Sequence, residues 1–148
     1  MKNPFSRKPD LCIGGEANPY MRRWYVIPRN RWFNIYLHNI LRDDDDRALH
    51  DHPWCSLSFM LKGAIVEHYQ DRRGDYRTRL LKAPRVVYRG STFAHRLQLG
   101  TDSAWTLFIT GRNVRDWGFH CPKGWVHWRD FTSGPKGETI GRGCGEDV

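Results

Sequence analysis

The sequence predicts an all-β fold: a β-sandwich, a jelly roll or a barrel. Three observations carry this. Short segments rich in β-branched and aromatic residues follow one another along the chain, and turn residues fall between them. Nowhere do apolar residues keep a 3.6-residue period for three turns. The first twenty residues are rich in Pro, Gly and Asn and show no periodicity, so positions 1–20 read as an irregular arm. The strand-like segments then run RWYVIP, WFNIYLHNIL, WCSLSFMLKG, AIVEHYQ, YRTRLLKA, RVVYRG, AHRLQL and AWTLFITG. Turns are signalled at Pro28-Arg29-Asn30, Arg73-Gly74-Asp75, Gly90-Ser91 and Gly100-Thr101-Asp102. Positions 21–133 are therefore expected to form one β-barrel domain. Positions 134–148, glycine-rich and nearly free of apolar residues, are expected to form a flexible tail. No internal repeat and no second domain is apparent.

The 148 residues fit a single core, and seven tryptophans supply enough apolar area to line a pocket as well. The net charge of +8 comes from basic residues spread along the whole chain, without a helical stripe or a nucleic-acid motif, so nucleic acid is not an expected partner. The N-terminal residues hold no apolar stretch of signal-peptide length, and no run is long enough to span a membrane. Cys12, Cys55, Cys121 and Cys144 form no Cys-x-x-Cys pair, which argues against a zinc finger. A cytoplasmic protein with reduced thiols is the expectation.

Candidate chemistry starts at Leu49-His50-Asp51-His52-Pro53-Trp54. In extended backbone, residues i and i+2 point to one face, and Pro53 pushes His52 toward the extended region. His50 and His52 can then aim at one point. A third ligand is needed, and His95 is the best candidate, because it alternates in phase with Leu97 and Leu99. Asp51 should face away, either to orient an imidazole or to meet water. Asp43 to Asp46 lacks the spacing of a calcium loop and reads as solvated. The block Asp116–Trp128 reads as an aromatic plug over one end of the fold, which can also wall a pocket or form a dimer face; its His120, Cys121 and His127 match no chelate spacing. Arg77, Arg79 and Arg96 are expected to face outward, and His38 and His68 to be surface or hydrogen-bonded residues.

His50-x-His52 followed by Gly63 resembles the first motif of the cupin superfamily, small double-stranded β-helix (jelly-roll) proteins. Gly90 and His95 resemble the second motif more loosely. The likeness covers about Ile35 to Thr110, and it extends to bacterial and phage-encoded single-domain cupins that share the LHDHPW motif. The sequence departs from the pattern at the motif glutamate, where Ser56 or Leu57 stands, and at its first glycine, where Asp44 stands. The resemblance implies one divalent metal ion on His50, His52 and His95, with Fe²⁺ favoured and Zn²⁺, Ni²⁺ or Mn²⁺ as alternatives. Trp54, Asp51, Ser56 and Glu67 would stand around it. It implies a small-molecule ligand, a homodimer by analogy, and dioxygenase-type chemistry as the leading activity. A metal-independent sugar-nucleotide isomerase or epimerase stays open, with His50 or His95 as base and Tyr69 or Tyr88 as acid. So does a non-catalytic ligand- or protein-binding module. Glu67, Tyr69 and Tyr88 are the candidate catalytic residues.

Overall fold

A computed structural model describes residues 6–44, 48–137 and 139–145. Asp45 and Asp46 of the acidic run lie outside the described residues. All eight segments named above become strands, and the chain folds as the expected jelly roll. They are β2 (Met21–Tyr25), β3 (Asn34–Ile40), β5 (Ser56–Lys62), β6 (Ala64–Gln70), β7 (Tyr76–Lys82), β8 (Arg85–Arg89), β9 (His95–Leu99) and β10 (Ala104–Thr110). Short strands β1 (Leu11–Ile13) and β4 (Leu49–His50) precede them or lie among them. The chain ends in β11 (Gly118–Cys121), β12 (Gly124–His127), the single helical turn α1 (Trp128–Phe131), β13 (Thr132–Ser133) and β14 (Thr139–Ile140).

Two six-stranded sheets form, in the orders β1-β2-β3-β10-β5-β8 and β12-β11-β4-β9-β6-β7. The core lies between them. Met21, Ile40, Met60, Val87 and Ala104 from the first sheet meet Ile65 and Leu81 from the second. Alternation is strict where the core demands it. In β8, Val87 and Arg89 are buried while Val86 and Tyr88 are exposed. In β5 the phase is unusual: Ser56, Ser58 and Met60 face in, and Leu61 is exposed. Polar residues on an inner face signal a space that is not filled by apolar packing.

Gly63 joins β5 to β6 at φ +80°, and a Cβ there would lie 2.3 Å from the Ser103 carbonyl oxygen. Both the dihedral and the close backbone approach require glycine. Gly63→Ala is expected to cost about 2 kcal/mol or more. Denaturant unfolding measures this, and an unchanged midpoint would refute the packing described.

Two expectations are corrected. Cys121 and Cys144 form a disulfide, with 5.6 Å between their Cα atoms. Reduced thiols therefore hold only for Cys12 and Cys55, and the cysteines no longer argue for the cytoplasm. The glycine-rich segment is not a free tail over its described part. β14 pairs with β13, and the disulfide ties Cys144 to β11. Within the arm, β1 pairs with β2. Among the described residues no helix is long and apolar enough to cross a membrane.

Candidate metal centre

Strand pairing brings the three histidines together. β4 is held between β11 and β9, and His50 sits directly opposite His95 in the register. His52 follows two residues later, its amide donating to the Ser91 carbonyl at 3.1 Å. The three imidazole centroids are mutually 5.0 Å apart. One ligand atom from each residue lies within 4.8 Å of the others, and no other such cluster exists among the described residues. Burial pushes all three imidazoles down, His50 to about 4, His95 to about 3 and His52 well below its ordinary value. At neutral pH each is uncharged and offers a lone pair. The His50 Nδ1 is buried and makes no hydrogen bond, with Asp44 Oδ2 3.7 Å away. Three converging neutral imidazoles fit a divalent ion.

Behind His95 stands Glu67, which is 0% exposed. Its carboxylate accepts hydrogen bonds from His95 Nδ1 and Arg89 Nε at 2.5 Å each and from Arg79 Nε at 2.6 Å. Burial alone would raise the pKa of Glu67. The His95 bond and the Arg89 charge outweigh it and hold the carboxyl well below the usual range. An ionised carboxylate only accepts, so His95 Nδ1 must carry its proton, and its Nε2 lone pair is left for the centre. Glu67 thus orients a ligand instead of replacing the motif glutamate. Arg79, expected to face outward, reaches in to it.

Asp51 faces away from the triad; it does not meet water, and the imidazole it holds is that of His120, not one of the three. It is 1% exposed and turned toward the β11–β12 hairpin. Its carboxylate accepts from the Gly118 amide and His120 Nε2 at 2.9 Å, from Trp125 Nε1 at 3.0 Å, and from Arg115 Nη1 at 2.9 Å. These donors hold it below the usual carboxylate range against the desolvation that would raise it. The same Arg115 donates to the carbonyls of His52 and Ser91. The aromatic block therefore clamps the backbone that carries His50 and His52.

The triad opens on a cavity of about 450 Å³. Trp54, Phe108, Trp117 and Phe119 wall it. Ser56 is buried but does not line it; Ser58, two residues on, does, and accepts from Arg89 Nη1 at 2.7 Å. The two tyrosines fail as pocket acids. Tyr88 is 66% exposed on the outer face of β8, and Tyr69 stacks on Phe93 outside the cavity lining. Among the lining residues that sequence reasoning did not place there are Arg23, Arg29, His38 and Arg89. The available signal for Arg89 was its phase with Val87, which placed a cation on an inner face opposite an inward Glu67. His38, taken for a surface or hydrogen-bonded residue, is buried at 3% exposure and accepts from Arg23 Nε at 2.9 Å. His68 bonds Tyr76 and Gln98.

No protein-family model and no curated protein matches the sequence. Solved structures do. The Fe(II) form of HppE aligns over 71% of this chain and 57% of its own, with 19% identity and a TM-score of 0.57. Hydroxypropylphosphonic acid epoxidase from S. wedmorenis aligns over 70% and 57%, with 19% identity and a TM-score of 0.52. Oxalate decarboxylase from Bacillus subtilis aligns over 82% of this chain and 31% of its own, with 17% identity and a TM-score of 0.56. The chain thus spans little more than half the length of the first and about a third of the last. At such identity the likeness is one of fold, the cupin jelly roll.

Proposed function

We propose that this chain is a metal-dependent cupin that acts on a small molecule through one divalent ion held by His50, His52 and His95. The convergence of three neutral imidazoles on the cavity is the observation that carries the reading. Fe²⁺ is the favoured ion, because imidazole ligands suit it and HppE structures hold Fe(II) and Co(II). Bound there, the ion would supply Lewis-acid polarisation and, as iron, redox chemistry with oxygen.

The chain's own residues do the rest. Glu67 fixes the His95 tautomer, and Asp51 with Arg115 fixes the backbone of His50 and His52. Trp54, Phe108, Trp117 and Phe119 give the cavity apolar walls. Among the described residues no carboxylate joins the three imidazoles in the ligand cluster, although Asp44 Oδ2 lies 3.7 Å from His50 Nδ1, so the ion would keep much of its charge and take a donor atom of the substrate. Oxygen-dependent turnover of a small acid or thiol is the activity proposed. Neither tyrosine nominated as an acid lines the cavity, which weighs against the epimerase reading.

Metal analysis by mass spectrometry tests this on protein loaded with Fe²⁺ and desalted. Near-stoichiometric metal is expected in the wild type and none in His50→Ala/His52→Ala. A wild type that retains no metal after exposure to Fe²⁺, Zn²⁺, Ni²⁺ or Mn²⁺ would sink the proposal and favour a binding module.

A further inference from the structure

The cavity has a second charged end. Arg23 lies on β2 beside His38 on β3, its register partner, and both line the cavity. The Arg23 guanidinium packs 4.5 Å over the Tyr36 ring and gives its Nε proton to His38. Arg29, also lining the cavity, places its guanidinium 6.0 Å from the same ring. Among the described residues no carboxylate forms an ion pair with either. Arg89 differs, because Glu67 neutralises it. Burial lowers the Arg23 pKa, with the Arg29 charge a smaller cause in the same direction. Two like charges on one aromatic platform, facing a cavity, form a site for an oxyanion.

A wall of rings connects this end to the triad. His52 stacks on Trp54 at 4.6 Å, Trp54 meets Phe108 edge-on at 5.4 Å, and Phe108 lies 5.1 Å from His38. Trp54 and Phe108 both line the cavity. A ligand with one end at the triad and an acidic group at Arg23 would lay an apolar middle along these faces.

We infer that Arg23 and Arg29 bind the carboxylate or phosphonate of an organic acid with a short apolar body, whose other end lies at the histidine triad. This rests on the metal reading for the orientation of the ligand, but the acid-binding end is testable without metal. The probes are phenylacetate, benzylphosphonate and the neutral phenylacetamide, titrated into chelator-treated and Fe²⁺-loaded protein and followed by tryptophan fluorescence and calorimetry. At least one acid should saturate below about 10 mM in both forms, with the amide about tenfold weaker or worse. The tighter acid identifies the anion class. Arg23→Met should weaken that acid about tenfold or more, and Arg23→Lys less; Arg29→Met, on an exposed side chain, should also weaken it. If Arg23→Met fails to fold, Arg29→Met and the salt dependence of the wild type decide. Equal binding of amide and acid, no saturation by either acid, or arginine variants that bind like the wild type would overturn the inference. Loss of metal with acid binding intact would count against the metal reading alone.

Discussion

Glu67→Gln is expected to lower the unfolding free energy by about 3–5 kcal/mol, the range for breaking one side of a buried ion pair. The substitution keeps the shape and removes the charge. Arg89, 4% exposed, then loses its counter-charge and keeps only the amide oxygen and Ser58 as acceptors. Arg79 is about a third exposed and recovers water, so Arg89 and His95 account for most of the loss. The folded pKa of Glu67 is depressed, so its stabilisation is fully present above its ordinary value near 4.5 and is lost as pH falls through the depressed range. The variant should therefore show a flatter acid limb. Metal affinity should fall about 10–100-fold, because a neutral amide holds the His95 Nδ1 proton more weakly than the carboxylate does. Urea unfolding against pH and a competitive chelator titration check both effects. Wild-type stability together with wild-type affinity would show that Glu67 does not hold His95.

Asp51→Asn comes second in size, at about 3 kcal/mol. The amide nitrogen would face donors where an oxygen now accepts. His120 and Arg115 are about a third exposed and can turn to water. Trp125, 44% exposed, can do so too, but the Gly118 amide, whose residue is buried, cannot. The effect on the centre differs in kind from that of Glu67. Asp51 acts on the chain path through His50 and His52, not on a ring. Added Fe²⁺ or Co²⁺ should raise the wild-type melting temperature, and in Asp51→Asn that increment should shrink. An increment of full size would confine Asp51 to a role in the hairpin alone.

Much of the centre was legible in the amino-acid sequence. Period-two alternation puts His50 and His52 on one side and His95 in line with Leu97, and alternation is a local property of the backbone. The eight strands were legible for the same reason. What escaped depends on pairing between distant strands. Arg23 faces the cavity because β2 lies beside β3, and Glu67 meets Arg89 because β6 and β8 bring their inner faces together across the two sheets. Neither relation has a sequence spacing. The Asp116–Trp128 block was recognised as aromatic, yet its hairpin was hidden by Pro122, which with Lys123 forms the turn between β11 and β12, and by Gly124, which opens β12. The glycine-rich tail misled because composition reports backbone freedom and carries no trace of a covalent tie to Cys121.

That tie has a practical side. Thr132, Lys136 and Gly137 close part of the cavity, and the segment that follows them is fastened back to β11 through Cys144. Ferrous proteins are commonly handled with thiols to keep the iron from oxidising, and thiols exchange with disulfides. The reagent that protects the metal would then loosen the wall around it. Ascorbate, which does not exchange with disulfides, separates the two effects: it keeps iron ferrous and leaves the fastening in place. Activity assays run in the two reductants would be assays of two differently closed chambers.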